Sequence, residues 1–556
     1  MEEDKQQLGS HDAVEADDVY SLVLELSEND PFFEKKKKLL CDKGFGMKES
    51  IHIKRSCCPD SLSTALKLML QIARIIHLDE VELYFGEVDP LGHYSTRNEM
   101  EALNWILSLV DASILSQLKN QKNGLQDLRI AILSCFHELA AKNTEESKVD
   151  KNYSCGKENC LIDWAKRKGV QTNLQIAYIE GAGRGAIAVK DLDVGDIALE
   201  IPLSIIISEE LVHKSDMYQI LEKIDGMTPE TMLLLWSMKE KHNCNSDFKI
   251  YFETLPEHFN TGLSFGVDAI MTLEGTLLLE ELTQAKEHLR TQYDALFPEL
   301  SNAHPDIFPS EQYTWEHFLW ACELWYSNSL KIMFADGKLR TCLIPVASFL
   351  NHSLYPHIVR YGKIDSATNS LKFPLSRPCS AGEQCCLRYG SFASSHLITF
   401  YGFLPEGNNP YDVIPLDFDD DQADGVEDCS LSNWTTHMVR GTWMSNNHDI
   451  FYYGLPSPLL DYLRRARSPT SCTTTTLRAK LECDNEILEN LLSIFSGMMD
   501  SFGDTESINS SNASWDVKVA VKYNDLQKMI VSSILTSCYS GKNMVNHELS
   551  KGAGEE

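Results

Sequence analysis

The sequence predicts an α+β protein: a β-rich core split by a helical insert, with a helical extension before it and a helical region after it. Three observations carry this. Short apolar stretches separated by glycine-containing turns occupy residues 174–202. Helical apolar spacing takes over from about Glu209 to Phe334, and strand character returns near Ile358 and Ser370. A repeat of two marks strands and a repeat near 3.6 marks helices.

Residues 1–150 read as helical, because Leu62, Leu66, Met69, Ile72 and Ile76 recur near helical spacing, as do Leu103, Ile106, Leu107 and Val110. The polar stretch 142–151 reads as a linker. Residues 175–179, 186–189 and 197–202 are strand candidates, the last two joined by a polar turn at 190–196. In the insert, 233–236, 277–296 and 318–330 read as helices, and strands resume at 358–361 and 370–373. After Pro410 comes an acidic loop, 417–428. Thr473 to Thr476 offer a helix cap, 507–514 a linker, and 515–535 a last helix. The domains expected are 1–150, 160–405 (with the insert at about 210–335) and 406–556.

Composition narrows the function classes. The 556 residues are 43% hydrophobic and 24% charged, which is ordinary for folded protein. Acidic residues number 81 and basic ones 50, a formal charge of −31 that repels phosphate backbones, so no direct nucleic-acid binding is expected. The basic run at 35–38 reads as a solvated helix face. The 16 cysteines are scattered, and the close pair Cys155 and Cys160 has no second pair at zinc spacing, so neither a metal nor a disulfide framework is expected. Met1-Glu2-Glu3-Asp4 lacks the apolar stretch of a signal peptide and the basic character of a transit peptide. No apolar run approaches the ~18 residues of a membrane helix. A monomer in the cytosol or nucleus, away from membranes, is the expectation.

Chemistry concentrates in four short motifs. Gly181-Ala182-Gly183-Arg184-Gly185 precedes a strand rather than a helix, which is the wrong context for dinucleotide phosphates. Its glycines allow close backbone approach to a ligand, or simply a tight hairpin. The apolar segment 344–350 ends in Asn351-His352, whose donors and acceptors suit the polar edges of a ligand. Ser380-Ala381-Gly382-Glu383 turns into a short strand ending at Tyr389-Gly390, and Tyr401-Gly402-Phe403 follows.

In this order the motifs resemble the SET pattern of protein methyltransferases. The helical insert, containing Tyr251-Phe252-Glu253-Thr254-Leu255-Pro256, is similar to the branch with the Rubisco large-subunit and cytochrome c lysine methyltransferases and the actin-histidine methyltransferase. The resemblance covers about residues 163–415. The helical region beyond it suits that branch's C-terminal substrate-binding domain, while the region before Lys142 matches nothing in it. The resemblance implies S-adenosyl-L-methionine as cofactor and a protein acceptor, lysine ahead of histidine. The cysteine-rich flank of many histone-directed relatives is missing, which points to a non-histone substrate, and the acidic balance favours a basic segment. By the same resemblance Tyr389 is the catalytic tyrosine and also touches cofactor. Asn351 and His352 hold the cofactor, Gly183, Arg184 and Gly185 lend backbone contacts, and Phe403 stacks near the adenine with Tyr401 beside it. Glu210 falls near a further cofactor contact. Three departures stand out: Ser348 where the branch has Asp, Asn328 where it has Arg, and Ser394-Ser395-His396 where it has a Ser-Asn-x-Glu run. They keep open a second reading, a SET scaffold that binds protein without catalysis.

Overall fold

The computed structural model describes residues 19–54, 59–88, 92–116, 124–142, 148–150, 152–418, 434, 436–445, 453–467, 476–505 and 512–552. The chain forms two units, Met1–Glu80 with Pro90–Lys142, and Val81–Asp89 with Asn143–Glu556.

The first unit is not wholly helical, which corrects the expectation for the N-terminal extension. Strand β1 (Val19–Glu25) pairs antiparallel with β2 (Lys48–Lys54). Leu22, Leu24, Ile51 and Ile53 are buried while their neighbours are not, the two-residue alternation of a sheet with one covered face. Helices Phe33–Asp42, Pro59–Ile76, Thr96–Leu115 and Gly124–Lys142 complete the unit. Ser95 starts the third of these by accepting the Asn98 N–H at 3.0 Å.

In the second unit the strands are β3 (Gln171–Thr172), β4 (Leu174–Ile179), β5 (Gly183–Ala188), β6 (Ile197–Pro202), β7 (Ser329–Met333), β8 (Leu339–Leu343), β9 (Ile364–Asp365), β10 (Ser370–Pro374), β11 (Ile414–Leu416) and β12 (His437–Val439). One sheet has the order β3-β6-β10-β9, and β4-β5, β7-β8 and β11-β12 are two-stranded. Residues 148–150, expected in a linker, bond along β4 instead: Asp150 N–H donates to the Tyr178 carbonyl and Glu180 N–H to that of Lys148, each at 2.9 Å. The strand expected at 358–361 is absent. Ile358 makes a single parallel bridge to Leu387, and Val359 N–H donates to Ser376 Oγ at 3.3 Å rather than to a ladder.

The insert between β6 and β7 holds helices Pro229–His242, Lys249–Thr254, Leu277–Leu296 and Trp315–Asn328. Thr228, Thr276 and Thr314 start three of them, each accepting the N–H three residues on. One hydrophobic core joins the sheets to the insert, through Ala186, Leu199, Leu371 and Leu387 on one side and Leu235, Trp236, Tyr251 and Phe318 on the other. Helices Ser457–Arg467, Leu477–Ser501 and Trp515–Gly552 form the C-terminal region, the second capped by Thr476. Val517, Ala520 and Tyr523 of the last helix pack on Phe265, Leu278 and Leu282 of the insert. Of the expected acidic loop only Asp417 and Phe418 are described; residues 473–475 and 507–511 also lie outside the described residues. The architecture is thus α+β, with small antiparallel sheets between helical regions.

Candidate active site

The glycine hairpin β4-β5 and the Asn351-His352 segment lie far apart in sequence and are joined by residues 383–389. On one side, Ala188 N–H donates to the Glu383 carbonyl at 2.9 Å and Cys385 N–H to that of Ala186 at 2.8 Å. On the other, Leu387 N–H donates to the Asn351 carbonyl at 2.9 Å, and Ser353 N–H to that of Leu387 at 3.1 Å. The turn before this segment is fixed chemically. Gly382 adopts φ +83, a left-handed conformation natural to glycine. The Glu383 carboxylate accepts from Ser380 N–H at 2.9 Å, from Arg377 Nη1 at 3.2 Å and from His357 Nε2 at 2.9 Å. Gly382-Glu383 therefore fixes the turn from which the segment ending at Tyr389 departs.

Tyr389 is held at both ends. Its N–H donates to His352 Nδ1 at 3.1 Å and its hydroxyl to the Leu350 carbonyl at 3.1 Å. Its ring stacks on Tyr401, with centroids 4.8 Å apart. Burial, followed by the neighbouring Tyr401, Cys386 and Tyr361, raises its pKa far above the ordinary phenol value, so the phenol stays protonated. Burial, helped by the Arg388 charge, lowers His352 to about 4. His352 is therefore neutral at pH 7; with Nδ1 accepting from Tyr389, its ring proton sits on Nε2, where it can donate to a ligand.

Around this frame lie two cavities that share the residues Ser327, Asn328, Ser348 and Tyr401. The larger, about 310 Å³, is lined also by Ala182, Arg184, the turn Thr254-Leu255-Pro256, Asn260, Thr261 and Phe349. The smaller, about 40 Å³, is lined by Leu330, Ala347, Leu350, Leu387 and Tyr389. The first lies in the size range of small-molecule sites, whereas the second is a narrow recess beside Tyr389. Asn351 stands behind the larger cavity, its Nδ2 donating to the Arg184 carbonyl at 3.1 Å. A Cβ at Gly185 would meet Asn351, Gln384 and Ile179 side-chain atoms at 3.0 Å each, so only glycine fits closely there. Gly402, at φ +80, lies directly against the Asn260-Thr261 backbone, which is cavity wall.

The structure brings some of the predicted residues to the cavities and leaves others outside them. Arg184, Tyr389 and Tyr401 reach the cavity walls. Gly183, Gly185, Asn351 and His352 line neither cavity; Asn351 and His352 are bonded to the wall residues Arg184 and Tyr389. Phe403 faces His352, with ring centroids 6.2 Å apart, and lines neither cavity. Glu210 sits 3.8 Å from Arg340 and is outside both. Asn328 and Ser348, which depart from the resembled pattern, are in the shared wall. The fully buried Tyr251 hydroxyl lies near Ser348 without meeting hydrogen-bond geometry. Sequence reasoning missed the wall turn's partner Asn260, and a buried group of His357, Cys379 and Cys385 whose ligand atoms lie within 4.8 Å of one another. No sequence spacing of the zinc kind announces that group. Both His357 nitrogens are already engaged, Nδ1 by Cys386 N–H at 3.1 Å and Nε2 by Glu383. All described cysteines are free thiols.

A small-sheet core split by a helical insert, with a motif-bearing segment joining its halves, defines a SET-type scaffold. Within that class the chain has the fold of the Rubisco large-subunit methyltransferase, LSMT. It matches the LSMT SET domain solved with lysine and AdoHcy at a TM-score of 0.53 and 18% identity, over 70% of this chain and 92% of that one. Rubisco LSMT bound to sinefungin and monomethyllysine matches at 0.54 and 18%, over 70% and 93%. No family model matches the chain. Among curated proteins it is 25% identical over 314 residues to the chloroplastic ribulose-1,5-bisphosphate carboxylase/oxygenase large subunit N-methyltransferase of Pisum sativum, covering 54% of this chain and 62% of that protein. It is 25% identical over 267 residues to the actin-histidine N-methyltransferase of Gallus gallus, covering 46% and 44%. The chain therefore spans less than two thirds of the length of these relatives. Among the described residues, no helix is long and apolar enough to cross a membrane.

Proposed function

We propose that the chain is an S-adenosylmethionine-dependent protein N-methyltransferase acting on a lysine of a non-histone protein, with the helical C-terminal region contributing to substrate binding. The observation that carries this is the pair of cavities with a common wall, the smaller ending at Tyr389. The larger suits the cofactor in volume, Arg184 of the glycine hairpin is in its wall, Gly185 is packed too closely for a Cβ, and His352 offers a ring N–H. When bound, S-adenosylmethionine supplies an activated methyl group on its sulfonium.

The residues act by positioning and electrostatics. The backbone at Gly183, Arg184 and Gly185 and the Asn351-His352 pair hold the cofactor side. Tyr389 gives its own proton to Leu350, so its oxygen lone pairs are free to accept an N–H from an acceptor amine and aim the nitrogen. A phenol held so firmly protonated orients rather than removes a proton. A lysine enters with a free pKa near about 10.4, and the apolar walls of Leu330, Ala347, Leu350 and Leu387 favour its neutral, nucleophilic form by withholding water. In-line alignment of nitrogen, methyl and sulfur then provides the main rate gain.

Histidine is the alternative acceptor, favoured by the likeness to actin-histidine N-methyltransferase. The non-catalytic alternative rests on Ser348 and Asn328 in the shared wall. Isothermal titration with S-adenosylmethionine, followed by mass spectrometry of proteins methylated in an extract, tests all three. Cofactor binding with new methyl-lysine supports the proposal. New methyl-histidine moves it to the alternative acceptor, and absence of binding at millimolar cofactor by folded protein overturns it.

A further inference from the structure

We infer that the Arg184 guanidinium binds the carboxylate at the amino-acid end of the cofactor, with Glu158 as the residue that positions it. The inference deepens the methyltransferase reading and rests on it.

S-adenosylmethionine carries one anionic group, its carboxylate. Among the residues lining the larger cavity, Arg184 is the one charged side chain. The neighbouring polar wall groups, Ser327, Asn328, Ser348 and Thr261, are neutral. A carboxylate entering this cavity loses water, and it needs a charged, forked donor to replace what it loses.

The guanidinium is held with donors to spare. Nη1 donates to Glu158 Oε1 at 3.1 Å and to the Thr254 carbonyl at 2.5 Å. Among the described residues no hydrogen bond uses Nε or Nη2. The group's centre lies 5.3 Å from the Phe349 ring centroid, and Phe349 is itself cavity wall. Glu158, on the helix Gly156–Arg167, is 4% exposed, whereas the Arg184 side chain keeps 26%. Tyr153 also donates its hydroxyl to Glu158 Oε1, at 3.4 Å. Glu158 thus fixes one corner of the fork from below and leaves the remaining N–H groups for an anion arriving from the cavity. A guanidinium has five N–H donors, enough to bridge two carboxylates. The Arg184 carbonyl meanwhile accepts from Asn351, so main chain and side chain do separate work.

Two ligands isolate the effect. S-adenosylhomocysteine has the amino-acid end; 5′-methylthioadenosine keeps the adenosine and thioether and lacks it. In titrations of the full chain, Arg184→Met is expected to weaken S-adenosylhomocysteine about 10- to 100-fold. Its affinity for methylthioadenosine should change by less than about 3-fold, which also reports an intact fold. Glu158→Gln should weaken S-adenosylhomocysteine alone, by a smaller factor. Equal losses for both ligands, or no loss for either, overturn the assignment and leave the methyltransferase reading standing. Wild-type protein that binds neither ligand overturns both.

Discussion

The hydroxyl of Tyr389 donates to the Leu350 carbonyl, which leaves its oxygen able to accept beside the smaller cavity. Tyr389→Phe removes that acceptor and one hydrogen bond. Methyl transfer from labelled cofactor should fall ~100-fold or more, while stability drops by only about 1 kcal/mol in urea titrations. A variant keeping a tenth of the wild-type rate would remove Tyr389 from the chemistry. Tyr251 is the contrasting case: a fully buried hydroxyl with no hydrogen bond among the described residues, near a serine where the resembled branch has Asp. A buried unsatisfied hydroxyl costs stability, so Tyr251→Phe should leave the unfolding free energy in urea titrations unchanged or raise it by up to ~1 kcal/mol. A loss greater than that would mean the hydroxyl has a partner in solution.

At the scale of elements, the helix Trp315–Asn328 links the insert to the cavity wall through one carboxyl group. Glu323 accepts from the Thr261 hydroxyl at 2.7 Å and the Ser264 hydroxyl at 2.6 Å. Burial raises it from 4.5 to about 7, against partial relief from those hydroxyls and Lys286. Between these values the unfolded chain has lost the proton and the folded chain retains it. Stability therefore falls as pH rises through the window, by ~3 kcal/mol at most. Glu323→Gln should narrow the difference between urea midpoints at pH 5 and pH 8; an unchanged difference would refute this origin. Elements with strong local signals were legible. The helix Leu277–Leu296 has its predicted bounds, and the glycine hairpin and Asn351-His352 segment were visible as motifs. Other features were hidden for physical reasons. The period-two pattern of Leu22, Leu24, Ile51 and Ile53 is short beside the long helical repeats that follow it. The last helix runs to Gly552 rather than 535, and within the added length Gly541 lies close against Tyr453, where a Cβ would not fit. Asn260 reaches the site only because Gly402 lets its backbone lie alongside, a contact across about 140 residues that no local pattern encodes.

At the scale of the molecule, residues 383–389 are bonded to partners near Ala186 on one side and to residues 351–358 on the other. One contact closes a loop of roughly 200 residues, and the segment has no regular element of its own. Contacts this distant in sequence are slow to form and come late in folding. The helices outside this region have local bonding and can appear early. After dilution from denaturant, the far-UV helical signal should therefore recover before the ability to bind S-adenosylhomocysteine. Simultaneous recovery would disprove this order. A chain emerging from synthesis would pass through the same sequence: until the segment near Tyr389 has been made and captured from both sides, the protein has its helices but no site. On the proposed reading, partly folded chains would then be unable to withdraw cofactor from the pool or modify a partner prematurely, and competence would arrive as one of the final events of maturation.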